Sequence, residues 1–120
     1  MTSSEWTYEE LVIASAGSEW PDSPPTRLVS YLVMVDRHAK ELWLTAMFDG
    51  PVSDDDRDEI WAIEGAVGSQ LPDDWQANTK FILRDEGGLV PSHQSIKIFE
   101  RGTALNPKAL RAEIHARHRR

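Results

Sequence analysis

The chain contains no cysteine. Disulfides, thiol nucleophiles and cysteine metal ligands are therefore excluded, and packing alone must hold the fold. There is no apolar run near the ~18 residues that a membrane helix needs. The opening residues Met-Thr-Ser-Ser-Glu-Trp lack the basic-then-apolar order of a secretory signal. A cytoplasmic protein without membrane contact is the expectation. Basic residues are scarce over most of the length. The net charge is −7, yet residues 108–120 carry about +4 (Lys108, Arg111, Arg117, Arg119 and Arg120 against Glu113), which leaves −11 on the residues before them. So acidic a body repels nucleic acid, so no direct nucleic-acid contact is expected, and it attracts basic partners.

What is present suffices for one domain: 120 residues, 40% of them hydrophobic. Residues 4–14 suggest a short first helix, with Ser3 or Ser4 as cap, Glu9 and Glu10 in an early turn, and Ala16-Gly17-Ser18 as its end. Trp20-Pro21-Asp22-Ser23-Pro24-Pro25 is a stiff connector. Leu28 to Val35 is β-branched enough for a strand, although its near-continuous apolarity leaves a helix open. After the polar stretch 36–40, Leu42, Leu44, Ala46 and Phe48 alternate with Trp43, Thr45 and Met47, the pattern of a strand. Asp49-Gly50-Pro51 closes it. Ser53 then caps a helix with Asp56 in the third position of a capping box, and Ile60, Ile63, Glu64, Val67 and Leu71 share one stripe until Pro72. Gly65 and Gly68 weaken that helix but would let it lie close on a sheet.

Thr79 to Arg84 reads as a third strand, Asp85-Glu86-Gly87-Gly88 as a turn, and Ser95 to Arg101 as a fourth strand in which Ile96 and Ile98 alternate with Lys97, Phe99 and Arg101. The order is α-β-β-α-β-β. Two hairpins flanking a helix predict an α+β fold with a four-stranded, mainly antiparallel sheet and helices packed on it. Residues 1–102 form the domain. Residues 103–120 are a basic C-terminal tail that Asn106-Pro107 opens as either a helix or a disordered segment. The second sheet face, bearing Trp43, Thr45 and Met47, is either covered by the first helix and the tail or used for binding.

Signals for catalysis are sparse. His115 and His118 stand at i, i+3 but have no third ligand nearby, so no metal site is expected. Ser92-His93 has no Gly-x-Ser-x-Gly elbow beside it. Gly87-Gly88 lacks the following Lys-Ser/Thr of a phosphate loop, and no cofactor is expected. Asp54-Asp55-Asp56-x-Asp58-Glu59 lacks the alternating acids and distal Glu of a calcium loop. Capping and solubility explain this cluster on one reading, and binding of a positive partner on the other. Trp61 lies about 100° round the helix from Ile60, where the apolar stripe meets the acidic face. Trp75 follows Asp73 and Asp74. An aromatic anchor ringed by carboxylates suits a basic protein surface. The candidate partner-binding residues are therefore Asp54, Asp55, Asp58, Glu59 and Trp61, with Asp73, Asp74 and Trp75 in support.

The run Leu42-Trp43-Leu44-Thr45-Ala46-Met47-Phe48-Asp49-Gly50, then Val52-Ser53-Asp54-Asp55-Asp56-Arg57-Asp58-Glu59-Ile60, then Ile63-Glu64 and Leu71-Pro72, resembles small acidic bacterial immunity proteins of contact-dependent growth inhibition and related polymorphic toxin systems. The resemblance covers residues 40–101. The proline-rich early segment and the basic tail depart from it. It implies a non-enzymatic protein that neutralises a cognate toxin domain by direct contact, the toxin often being a nuclease with a cationic groove that an acidic protein can cover. Two rivals remain. One is a structural or adaptor subunit of a bacterial assembly that uses the face around Trp43 and Met47. The other is a small hydrolase using His93 with Asp85 or Glu86.

Overall fold

The computed structural model describes residues 6–84 and 95–118. The elements run α1 (Tyr8–Glu19), β1 (Leu28–Asp36), β2 (Glu41–Phe48), α2 (Asp54–Gly68), β3 (Gln76–Leu83), β4 (Ile96–Glu100) and α3 (Pro107–His118). The fold is α+β, with a four-stranded sheet and three helices. The strands lie in the order β3-β2-β1-β4.

The sheet is mixed, which corrects the mainly antiparallel expectation. The first hairpin forms, with β1 antiparallel to β2 from Asp36↔Glu41 to Leu28↔Phe48. The second does not. β3 pairs parallel to β2, from Glu41↔Gln76 to Phe48↔Leu83, and β4 pairs antiparallel to β1 at the other edge. The physical reason is α2. A chain that leaves β2, forms a helix and returns beside β2 arrives in the same direction, because a parallel pair needs a crossover of about a dozen residues or more. With that edge occupied by β3, β4 takes the free edge of β1.

β1 and β2 are interior strands, which accounts for their apolarity. Leu42, Leu44, Ala46 and Phe48 are buried and the residues between them only partly so. They join Tyr31 and Val33 of β1 under Val12, Ile13 and Ala16 of α1, Ile60, Ile63 and Val67 of α2, and Ile114 of α3. All three helices therefore cover one face of the sheet. Neither the first helix nor α3 covers the face bearing Trp43, Thr45 and Met47.

Helix α1 is the middle of the helical layer. It touches α3 on one side, α2 on the other and β1 beneath. Hence Val12, Ile13, Ala14, Ala16 and Gly17 are all buried, and the helix lacks a single narrow apolar stripe. Its cap is Thr7, in a full capping box with Glu10. The caps read from sequence, Ser3 and Ser4, lie outside the described residues. The helix also runs through Gly17 to Glu19 instead of ending at Ala16-Gly17-Ser18. Gly17 is a contact point, since a Cβ there would lie 2.5 Å from the Pro107 carbonyl oxygen and 2.8 Å from Arg111 Cβ. Of the two forms left open for the C-terminal segment, the helix is the one found, with Pro107 and Ile114 buried.

In β4, Ile98 and Phe99 are both buried. The simple alternation expected there fails because the β1–β4 ladder slips between Tyr31 and Leu32. Phe99 meets Trp20 with ring centroids 5.1 Å apart, and Trp20 meets Tyr31 at 5.5 Å. The Tyr31 hydroxyl is buried and has no hydrogen-bond partner among the described residues. Burial, with the charge of Glu64 added, raises its pKa well above the usual phenol range.

Candidate functional site

The acidic residues of α2 begin where the Phe48-Asp49-Gly50-Pro51 turn leaves β2. Ser53 caps the helix, accepting from the Asp56 N–H at 3.1 Å. Ile60, Ile63 and Val67 turn inward, fully buried, and fix the rotation of the helix. The Thr79 hydroxyl of β3 donates to the Glu64 carboxylate, so the one polar member of the buried stripe is also tied down. This rotation turns Asp54, Asp55, Asp58 and Glu59 outward, all exposed. Trp61 follows on the same side, 48% exposed. Its ring stands edge-on to Phe81 at 5.8 Å, and the Arg57 guanidinium lies over the other partner of that contact, 5.1 Å from the Phe81 centroid.

Elsewhere among the described residues six carboxylates are held, while Glu19, Glu41, Asp73 and Glu113 make no ion pair. Glu9 pairs with Arg37, Glu10 with Arg117 and His118, Asp22 with Lys108, Asp49 with Arg101, Asp74 with Lys40 and Glu100 with Lys97. Among the described residues, none of Asp54, Asp55, Asp58 and Glu59 makes an ion pair. The helix dipole favours acids within the first turn and fades beyond it. Capping thus explains Asp54, Asp55 and Asp56, but leaves Asp58 and Glu59 of the second turn without an internal role.

Asp73, Asp74 and Trp75 follow the far end of the same helix, whose 15 residues span about 22 Å at 1.5 Å per residue. The Asp74 carboxylate accepts from Lys40 Nζ at 2.5 Å, which holds its pKa below the ordinary range and raises that of Lys40. The Trp75 ring packs on Tyr8 at 4.8 Å, joining α2's exit to the start of α1. The structure therefore brings Asp54, Asp55, Asp58, Glu59 and Trp61 together; it sets Asp74 and Trp75 apart from them as a joint with the β1–β2 turn and α1, with Asp73 exposed beside them.

His115 and His118, at helical spacing in the sequence, both face Trp6. His118 stacks on the indole at 4.7 Å, with its Nε2 3.0 Å from Glu10 Oε2, and His115 stands edge-on at 5.3 Å. Glu10 also receives Arg117 Nη1 at 2.8 Å. Burial opposes its ionisation, but the Thr7 N–H, His118 and Arg117 outweigh burial and hold its pKa below the ordinary carboxyl value of 4.5. Sequence spacing showed the histidines as a pair. Only the docking of α3 on α1 shows what they meet. Among the described residues, no group of three or more His, Asp or Glu is placed to hold a metal ion, and no helix is long and apolar enough to cross a membrane. Ser92, His93, Asp85 and Glu86 lie outside the described residues.

No protein-family model matches this sequence, and no curated protein matches it closely enough to show kinship.

Proposed function

We propose that this protein is a cytoplasmic, non-enzymatic immunity protein that binds a cognate bacterial toxin domain, a nuclease with a basic surface, through the outer face of α2. One observation carries the reading. Four exposed carboxylates, Asp54, Asp55, Asp58 and Glu59, stand unpaired among the described residues, beside a half-exposed tryptophan on a helix whose rotation the core fixes. Like charges at i, i+4 each cost a few tenths of a kcal/mol. An external cation repays that cost. At physiological salt such a field reaches about 8 Å, enough to steer a basic partner into contact. Trp61 then supplies apolar area that slows release.

The test is capture of partners from the source bacterium on the tagged protein, washed at low and then high salt, beside the Asp55→Lys/Glu59→Lys variant. A stoichiometric basic toxin domain held by the native protein, and lost from the variant at low salt, is the expected result. Equal capture by the variant removes α2 from the interface. A second reading, a structural or adaptor subunit, rests on the face that bears Trp43 and Met47, which none of the described helices covers. It predicts salt-insensitive self-association in sedimentation.

A further inference from the structure

At the end of the sheet where β2 gives way to α2, four strand ends place charged residues side by side. The Arg84 N–H donates to the Phe48 carbonyl at 2.8 Å, the Asp49 N–H to the Arg27 carbonyl at 2.9 Å, and the Arg101 N–H to the Val29 carbonyl at 2.9 Å. These last rungs of the ladder fix the backbones of Arg84, Asp49, Arg27 and Arg101 in a row across the sheet. Neighbouring strands are about 4.8 Å apart. The Arg101 and Arg27 side chains then meet over Asp49 and Gly50. Arg101 Nη2 lies 2.7 Å from Asp49 Oδ2, while its Nη1 donates to the Thr26 carbonyl at 3.0 Å. The Arg27 guanidinium lies across Gly50, in the space a Cβ would fill. Arg101 first, and Arg27 and Arg84 behind it, hold the Asp49 carboxyl below its ordinary range. Asp49 is the only described carboxylate paired into the row. Among the described residues, the Arg27 and Arg84 side chains have no ion pair or hydrogen bond of their own.

We infer that Arg27, Arg84 and Arg101 form a binding site for a phosphate monoester. Three guanidinium groups against one carboxylate leave two positive charges. A phosphate monoester carries about −1.5 to −2 at neutral pH and matches that excess, where a single carboxylate leaves half of it unmet. Guanidinium forks suit phosphate oxygens, and two of the three are uncommitted. The ligand is compact. The α2 acids start from the same end of the sheet, only a few residues beyond Gly50, and repel an extended polyanion such as nucleic acid. This site is separate from the outer face of α2 and does not depend on the toxin-binding reading.

The experiment is an amide NMR titration of the full chain at constant ionic strength. Inorganic phosphate, glycerol phosphate and a short phosphoserine peptide are the probes, with chloride as control. Saturable shifts at Asp49, Gly50, Arg84 and Arg101, absent with chloride, are expected. Arg27→Gln and Arg84→Gln should each weaken binding about tenfold. Asp49→Asn, which removes the competing carboxylate, should tighten it several-fold. Comparable affinity for all three probes indicates a small phosphorylated metabolite, and preference for the peptide indicates a phosphorylated protein segment. Shifts that fail to saturate, that chloride reproduces, or that persist in both arginine variants overturn the proposal. Asp85 and Glu86 follow Arg84 in sequence, outside the described residues; if their charge cancels the row, phosphate fails to saturate and the proposal falls.

Discussion

Helices α1 and α2 begin alike and use their carboxylates in opposite ways. Each starts with a hydroxyl cap, Thr7 or Ser53, followed by acids in the first turn. On α1 those acids are consumed inside the molecule. Glu9 accepts both Arg37 nitrogens, and Glu10 holds the end of α3 through Arg117 and His118. On α2 the first-turn acids make no ion pair among the described residues. The difference follows from position. α1 lies between two helices and must make joints on both sides, whereas α2 lies at the flank of the layer with one side free. The same residue type is therefore a fastener in one place and an unanswered charge in the other. Local sequence alone cannot distinguish the two.

The sharpest way to break this contrast is to part α1 from α3. Gly17→Ala forces a methyl onto the Pro107 carbonyl and should lower stability by about 2–3 kcal/mol in denaturant melts. An unchanged midpoint would mean that the two helices are not closely packed there. A smaller loss, about 1 kcal/mol, is expected for Glu10→Gln, which weakens charge-assisted bonds to α3. This effect depends on pH with a definite sign. The folded carboxyl titrates below its ordinary 4.5, so its contribution is present above about pH 4.5 and is lost as pH falls through the lower folded value. Melts across pH 3–6 should show the native and variant proteins converging in acid; a gap of constant size would sink the assignment.

Changes on α2 should be gentler. Nothing lies within 4 Å of a Cβ added at Gly65, so Gly65→Ala should raise stability by about 0.5–1 kcal/mol through helix propensity alone. A fall in the melting midpoint would show that the glycine serves packing. The smallest effect is expected from Asp55→Lys/Glu59→Lys, within about 0.5 kcal/mol in the same melts. A large loss of stability there would show that these acids are fasteners too, and would erase the contrast.

How far the sequence disclosed this arrangement depended on how local each signal was. The alternation from Leu42 to Phe48, the Ser53 cap and the Ile60, Ile63, Val67 stripe are local, and the structure contains each of them. The direction of β3 was misread because two strand-like runs near each other suggest a hairpin. The helix between β2 and β3 was the signal that a parallel pair was due. The slip that buries both Ile98 and Phe99 left no mark on the pattern. On the candidate site, residue spacing places Asp54 to Trp61 along one exposed stretch of α2, where the structure also has them. It could not show that Asp74 meets Lys40, 34 positions earlier, or that Trp75 meets Tyr8. The arginine row was invisible for the same reason, since Arg27, Arg84 and Arg101 become neighbours only when four strand ends align.

The clasp between Glu10 and the end of α3 also sets a timetable. The β1–β2 hairpin and the crossover through α2 to β3 involve contacts of modest sequence separation and can form early. Glu10 must wait for Arg117 and His118, and Gly17 for Pro107. Until α3 has been made, α1 lacks the partners that fasten Glu10 and Gly17.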